Sequence, residues 1–236
     1  MKISELFKEF AHALEIDKPT IDEAVRLHER ARAALGANLE GCKRTTLSGS
    51  YPRNTRLAPL DDIDIIAVVK STAPWDDDPE TALRAAGQIV VDEFPGSSME
   101  IGNHAAKISN LDSSIEGVHL DIVVGYEIGS GTTLKISETE PESAWSESDP
   151  EAHASELSDA NAAWDDKLKP TIKQIKHWNN RETDRERQIA SFLIEAIALH
   201  EFGGSGSLSQ PQTASTAQVP AEVARCRQHN KSSSRP

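Results

Sequence analysis

Three aspartates lie in two apolar segments whose alternating pattern predicts β-strands. Asp62 and Asp64 alternate with isoleucines in the segment 62–69, and Asp121 lies in the segment 118–124. In a strand, residues i and i+2 point to the same side and lie about 6.6 Å apart. Asp62 and Asp64 are therefore expected to share one face while the isoleucines enter the core. Asp121 offers a third carboxylate from a strand with the same alternation.

Such a group of carboxylates predicts a bound cation. Two like charges about 4 Å apart repel each other by about 4 kcal/mol at an effective dielectric constant near 20. Hard oxygen ligands with retained waters suit Mg²⁺ better than zinc. Two ions roughly 3.5–4 Å apart can activate an attacking hydroxyl and stabilise a leaving pyrophosphate. We therefore expect two Mg²⁺ ions at Asp62, Asp64 and Asp121, with Mn²⁺ as the alternative metal.

A Gly-Ser turn precedes the aspartate pair, at Gly49 and Ser50. Glycine allows the backbone to come close to a triphosphate, and backbone N–H groups together with the Ser50 hydroxyl can donate hydrogen bonds to its oxygens. On its own this turn is a weak signal. Followed by Asp62 and Asp64 on a strand, it indicates a site that binds a nucleoside triphosphate beside the metal ions.

The elements that must position these residues combine helices with a sheet. Helical spacing of apolar residues predicts helices over residues 3–14, 19–35, 78–91, 168–179 and 187–202. Alternation predicts strands over residues 45–47, 63–69, 105–109 and 117–126. The acidic segment 127–166 is interpreted as a long surface connection, with room for one helix after Pro150. Together these elements predict an α/β (α+β) fold in which helices flank a mixed sheet.

Composition divides the chain into three parts. Residues 1–140 contain the aspartates and the predicted sheet, residues 141–202 are expected to form a helical lobe, and residues 203–236 form a tail rich in Ser, Gln, Thr and Pro. The tail has almost no large apolar residues and cannot bury enough surface to order itself. It is therefore expected to be disordered.

The order of the chemical residues is that of a known superfamily. A Gly-Ser turn, eleven intervening residues, the Asp62-x-Asp64 pair and a later strand aspartate resemble the nucleotidyltransferases typified by DNA polymerase beta. The fuller segment 49–65, Gly-Ser-Tyr-x-Arg-x-Thr-x-Leu followed by Asp-Ile-Asp-Ile, resembles the cGAS/DncV-like nucleotidyltransferases, relatives of oligoadenylate synthetase. The segments 168–179 and 191–195 are similar to the paired helices that follow the catalytic sheet in these enzymes.

This resemblance implies a polymerase-beta-like fold and a Mg²⁺-dependent, template-independent nucleotidyltransferase. Such an enzyme makes a cyclic di- or oligonucleotide second messenger from ATP, GTP, CTP or UTP in the anti-phage defence systems called CBASS. Asp62, Asp64 and Asp121 would be both its catalytic residues and its metal ligands, and CBASS accessory proteins would be its partners. Family members usually continue with further helices, so the helical lobe is expected to be incomplete after Phe202.

The helix predicted over residues 168–179 carries a cationic stripe. Lys169, Lys173 and Lys176 lie at spacings i, i+4 and i+7, which places positive charge where a triphosphate would need it in an otherwise acidic protein. In the family a lysine on this helix and a serine on the next helix contact the triphosphate, which implies these roles for Lys176 and Ser191. Solvent-exposed lysines and a small packing serine are the structural alternatives.

Four further residues are interpreted as structural. Trp178 and Phe192 are expected to fill the core between the last two helices, with base stacking as the alternative role for an aromatic ring. Arg53 and Thr55 are expected to hold the Gly-Ser turn in place rather than to approach a phosphate.

Charge and cysteine content exclude several classes of protein. The 236 residues include 25 lysines and arginines against 38 acidic residues, a formal charge of −13, so no long nucleic acid is expected as a partner. The two cysteines, Cys42 and Cys226, lie far apart. They exclude a disulfide framework or a Cys-rich zinc site and suit a reducing cytoplasm. No segment is long and apolar enough for a membrane span, so a cytoplasmic protein without membrane contact is expected.

Two other functions fit the same residues. Nucleotidyl transfer to a small molecule, a protein or an RNA end needs the same metal site and a different acceptor. An inactive nucleotide-binding remnant would bind the triphosphate and gain thermal stability from it, but would release no pyrophosphate.

Overall fold

The computed structural model describes residues 3–70, 75, 78–129, 131–139, 144–182 and 187–202, and the expected disordered tail, 203–236, lies outside them. The helices of the described residues are α1 (Ile3–Ala13), α2 (Lys18–Asn38), α3 (Ser50–Arg53), α4 (Pro79–Glu93), α5 (Pro150–Ala163), α6 (Leu168–Glu182) and α7 (Ser191–Phe202). The strands are β1 (Cys42–Leu47), β2 (Asp62–Val69), β3 (Ser98–Ile101), β4 (Ala106–Ser109), β5 (His119–Glu127), β6 (Leu134–Glu138) and β7 (Ala144–Ser148). No described helix is long and apolar enough to cross a membrane.

The strands form one mixed sheet, as expected. Its order is β1-β2-β5-β4-β3, and the β6–β7 hairpin joins it by pairing with the second half of β5. β2 and β5 are parallel, and the other pairs are antiparallel. The two strands that carry the aspartates are therefore neighbours in the middle of the sheet.

The main core explains the alternating pattern of these two strands. Ile63 and Ile65 on β2 and Leu120 and Ile122 on β5 are fully buried, and they belong to one apolar cluster with residues of α2 and α4. Since side chains alternate along a strand, the aspartates of β2 and β5 lie on the opposite face of the sheet. Burial of the isoleucines thus determines which way the carboxylates point.

Helices α5, α6 and α7 share a second apolar cluster. Its buried members are Leu157, Ala160, Leu168, Ile172, Ile194 and Ala198. The expectation that Trp178 and Phe192 fill the core between the last two helices is wrong, because their side chains are 59% and 56% exposed. The buried side of α6 carries Lys173 and Lys176 beside Leu168 and Ile172. Trp178, two residues beyond Lys176, lies on another side of the helix.

The interpretation of residues 127–166 as a surface connection is wrong for its first part. This part forms the β6–β7 hairpin, so the sheet continues past the expected boundary at residue 140 and ends at Ser148. Only Leu134 and Ser137 of the hairpin strands are buried, and such a polar strand lacks the alternation that predicts sheet. The helix expected after Pro150 is present as α5. β3, which is only four residues long, was not expected.

Asp149 joins the hairpin to α5. Its side chain accepts hydrogen bonds from the N–H of Ala152 (2.9 Å) and from the hydroxyl of Thr132 (2.8 Å). We expect Asp149→Ala to lower the free energy of unfolding by about 1 kcal/mol, because the helix loses its N-cap. Urea denaturation measures this loss. Asp159→Ala, on the exposed face of the same helix, is the control, and an equal effect of both changes would contradict the prediction.

Candidate active site

The structure brings the three aspartates together. In the parallel register of β2 and β5, Asp64 lies opposite Asp121 and Asp62 lies opposite His119. One carboxylate oxygen from each of Asp62, Asp64 and Asp121 lies within 4.8 Å of the others. No second group of three or more such metal-binding side chains occurs in the part of the chain that the structure describes.

Burial and mutual repulsion oppose the ionisation of this triad. Burial, followed by the charge of Asp64, raises the pKa of Asp62 to about 7. Burial, followed by the charge of Asp121, raises the pKa of Asp64 to about 6, although Arg53 acts in the opposite direction. Burial also raises the pKa of Asp121, and the neighbouring His119 reduces that shift. A divalent cation would stabilise all three charged carboxylates, so the donor set fits a metal site.

The Gly-Ser turn lies directly against Asp64. Gly49 has a φ of 68°, and a Cβ atom at this position would lie 1.5 Å from the Oδ2 of Asp64. The N–H of Ser48 donates a hydrogen bond to the backbone carbonyl of Asp64 (2.9 Å). Ser50 is half-buried and begins the short helix α3. Because only glycine fits at position 49, the turn and the triad form one site.

A buried ionic cluster lies next to this turn, and we call it the Glu195 cluster. The carboxylate of Glu195 accepts hydrogen bonds from Arg53 Nε (2.7 Å), Lys176 Nζ (2.6 Å) and Thr55 Oγ1 (2.5 Å). Its Oε2 also lies 3.2 Å from Nε2 of His153. Burial alone would raise the pKa of Glu195, but the hydrogen bond to His153 and the charges of Arg53 and Lys176 lower this pKa below its ordinary value. Arg53 and Thr55, for which structural roles were expected, are engaged by Glu195 within the protein.

The two buried lysines of the stripe are engaged with acidic residues. Lys173 Nζ lies 2.8 Å from Glu15 Oε1 and 3.4 Å from Asn54 Oδ1. Lys176 belongs to the Glu195 cluster, and burial lowers its pKa while Glu195 opposes that shift. Both ammonium groups therefore bind other parts of the protein, close to the segment that follows the Gly-Ser turn.

The remaining sequence-predicted positions lie nearer the surface. Lys169 is half-buried and its Nζ donates a hydrogen bond to the hydroxyl of Ser158 (3.2 Å). Ser191 is exposed and is the first residue of α7. The lysine stripe thus divides into one partly exposed and two buried residues.

The sequence analysis did not identify two of the residues found in this region, His119 and Glu195. His119 lies on the face of the triad, with Nε2 3.7 Å from Oδ2 of Asp121. Its spacing of two residues from Asp121 in a strand is the signal that could have found it. Glu195 is the only charged residue in the apolar segment 192–199. A lone charge in such a helix indicates a buried ion pair, because charged side chains are almost never fully buried without a partner.

The mixed sheet carries two aspartates on one strand and a third on its parallel neighbour, and the Gly-Ser turn lies against Asp64. This is the arrangement expected from the resemblance to polymerase-beta-like nucleotidyltransferases. The chain belongs to the Second Messenger Oligonucleotide or Dinucleotide Synthetase (SMODS) domain family, whose model matches residues 1–161. The family resemblance inferred from the segment 49–65 is confirmed.

Known proteins of this kind resemble the chain over most of its length. The chain is 26% identical over 210 residues to the cyclic AMP-AMP-AMP synthase of an Acinetobacter species. The aligned region covers 84% of this chain and 58% of that protein. Its structure is similar to Escherichia coli MS115-1 CdnC, solved with ATP (TM-score 0.64, 21% identity, 86% of this chain and 66% of that one). It is also similar to the Bradyrhizobium diazoefficiens CD-NTase CdnG in complex with GTP (TM-score 0.67, 15% identity, 88% of this chain and 71% of that one).

These comparisons confirm the expected fold. The chain spans 58% of the length of the Acinetobacter synthase and 66% of CdnC. The structural likeness to CdnC covers 86% of this chain, a larger share than the 161 residues that match the family model.

Proposed function

We propose that this chain is a Mg²⁺-dependent, template-independent nucleotidyltransferase that joins nucleoside triphosphates into a cyclic di- or oligonucleotide second messenger in anti-phage (CBASS) defence. The observation that carries the proposal is the convergence of Asp62, Asp64 and Asp121 beside Gly49. Membership of the SMODS family supports a second messenger as the product. The similarity to a cyclic AMP-AMP-AMP synthase supports a cyclic one.

The triad would hold the metal and promote the transfer. Asp62 and Asp64 would hold two Mg²⁺ ions, or Mn²⁺ in their place, and Asp121 would complete the site. Such ions supply positive charge that activates a hydroxyl and neutralises a leaving pyrophosphate. Asp121 would favour loss of the proton from the acceptor ribose hydroxyl. The ribose oxygen then forms a bond to the α-phosphorus, the bond from this phosphorus to the β-phosphate oxygen breaks, and pyrophosphate leaves.

The triphosphate would lie along the Gly-Ser turn. Its proposed donors are the backbone N–H groups at Gly49 and Ser50, the Ser50 hydroxyl and the exposed hydroxyl of Ser191. Lys176 would reach a triphosphate only by leaving Glu195, so a direct contact requires nucleotide binding to open that ion pair. The structures of CdnC with ATP and CdnG with GTP support nucleoside triphosphates as the ligands.

The remaining features of the proposal concern organisation and context. The part of the chain up to Ser148, which contains the sheet, would provide the metal site. The helices from residue 150 onward would complete the triphosphate side. We place the protein in the cytoplasm, where nucleoside triphosphates are available, with CBASS accessory proteins as its partners.

The first test is direct. Purified protein is incubated with Mg²⁺ and labelled ATP, GTP, CTP and UTP, and the products are analysed by mass spectrometry after phosphatase treatment. We expect a phosphatase-resistant cyclic product that is absent from the Asp62→Asn, Asp64→Asn double variant. A linear product on an added acceptor would instead support transfer to that acceptor. Nucleotide binding without release of pyrophosphate would overturn the proposal in favour of an inactive nucleotide-binding protein.

A further inference from the structure

The Glu195 cluster connects three helices to the turn beside the triad. His153 comes from α5, Lys176 from α6 and Glu195 from α7, and all three are buried or nearly so. Their partners Arg53 and Thr55 belong to the segment that follows the Gly-Ser turn. The cluster is therefore the place where the last three described helices bind the sheet part of the chain through charged groups.

Hydrogen bonds continue from this cluster to the turn itself. Arg53 is the last residue of α3, and Ser50 is its first. The N–H of Thr55 donates a hydrogen bond to the carbonyl of Ser50 (3.1 Å). Lys176 Nζ adds a contact to the carbonyl of Thr55 (3.3 Å). A shift of the Glu195 carboxylate would thus move both ends of the short helix that begins at Ser50.

The turn has little freedom to move without affecting the triad. The Cα of Gly49 lies so close to Asp64 that no side chain fits between them, and the N–H of Ser48 is bonded to the Asp64 carbonyl. A displacement of α3 would therefore be transmitted to the carboxylate of Asp64 or would open a gap where the triphosphate is proposed to bind.

We propose that Glu195 is a positioning residue for the nucleotidyl transfer, because it holds Arg53 and Thr55 and through them the Gly49-Ser50 turn against Asp64. The catalytic part of this inference rests on the proposed function. The hydrogen bonds of Glu195 go to the residues of its own cluster and not to the triad, so it acts through the groups that it holds. Stability by itself does not explain the cluster, since well-packed apolar side chains of similar volume often stabilise a fold as well as a buried ion pair does. A carboxylate also fixes the orientation of its partners, because it accepts hydrogen bonds from several donors at once.

The test is Glu195→Gln, which keeps the size of the side chain and removes its charge. We expect amide hydrogen exchange in the peptide covering residues 48–56 to become at least about 10-fold faster, while exchange in α4 stays unchanged. We also expect the affinity for a non-hydrolysable Mg²⁺–ATP analogue to fall at least about 10-fold. Glu201→Gln, on the exposed face of the same helix, is the matched control and should change neither quantity.

Thr55→Val provides a second variant in case Glu195→Gln does not fold. It removes the contacts of the Thr55 hydroxyl with Glu195 and Lys176 and leaves the ion pairs of Glu195 with Arg53 and Lys176 in place. It should accelerate exchange in the same peptide about 3-fold. Unchanged exchange and affinity in a folded Glu195→Gln variant would overturn the inference, and so would faster exchange spread evenly over the sheet. If the unaltered chain makes no phosphodiester product, the proposed function fails, while the exchange comparison still decides the role of Glu195.

Discussion

Asparagine at position 64 is expected to reduce product formation by about three orders of magnitude or more. Asp64 is the central member of the triad, lying opposite Asp121 in the sheet and two residues from Asp62 on its own strand. The amide keeps the shape of the side chain but cannot balance the charge of a divalent cation, so the stabilisation of the transition state is lost. Steady-state formation of the cyclic product in Mg²⁺ measures the effect.

The same substitution is expected to stabilise the protein when metal ions are removed with EDTA. The pKa of Asp64 is about 6 in the folded chain against an ordinary value of 3.8. The folded state thus binds the proton more tightly and loses stability as the pH rises from about 4 to about 6. Asparagine does not ionise, so the Asp64→Asn variant does not lose stability in this way. The gain is on the order of 2 kcal/mol, or roughly 4–8 °C in melting temperature, above pH 6, and it disappears below pH 4.

Asp61→Asn is the control for both measurements. Asp61 is exposed and immediately precedes β2, so its removal leaves the triad intact. This variant should retain most of its activity and show a much smaller rise in melting temperature. Full turnover of the Asp64→Asn variant would show that the triad is not the catalytic centre. An unchanged melting temperature in EDTA would show that the charge of Asp64 does not destabilise the folded state as its raised pKa indicates.

Gly49→Ala is expected to reduce product formation about 100-fold or more and to weaken triphosphate binding. The added methyl group would meet the Oδ2 of Asp64 at 1.5 Å, so the turn must move away from the triad. Displacement of a positioning element by about 1 Å is enough for a loss of this size. Alanine is also strained at a φ of 68°, which costs about 1–2 kcal/mol of stability.

Gly129→Ala is a control that separates the backbone strain of alanine at positive φ from the contact of its methyl group with Asp64. Gly129 has a φ of 67°, almost the value of Gly49, but no atom lies within 4 Å of the position of its Cβ. This variant should show a similar loss in thermal unfolding experiments and nearly normal activity. Equal activity of the two variants would contradict the close contact between the turn and Asp64.

The side of the sheet on which each aspartate lies was predictable because it depends on local periodicity. Asp62 and Asp64 share a face in any strand that buries Ile63 and Ile65, and the same alternation applies to Asp121. The parallel register that places Asp121 opposite Asp64 is a long-range property. Residue types in the two segments do not encode it, so the convergence followed from the family resemblance and from the structure.

The environment of the lysine stripe was not predictable in the same way. Lys173 and Lys176 have the spacing of a solvent-exposed or ligand-binding stripe, and their partners Glu15 and Glu195 are 158 and 19 residues away. Helical spacing shows which residues share a face, but not which face is buried when that face carries charges. Trp178 is exposed because the buried side of α6 is formed by Leu168 and Ile172 together with these two lysines.

The parallel pairing of β2 with β5 has a consequence for how the sheet assembles. A slip of this pairing by one residue would turn the aspartates of one strand toward the core and its isoleucines toward the other aspartates. The correct pairing brings three acidic groups together and is opposed by their repulsion, while a divalent cation favours it over the pairing shifted by one residue. Metal present during folding would therefore stabilise the correctly aligned strands relative to the shifted ones, because only the correct alignment forms the metal site.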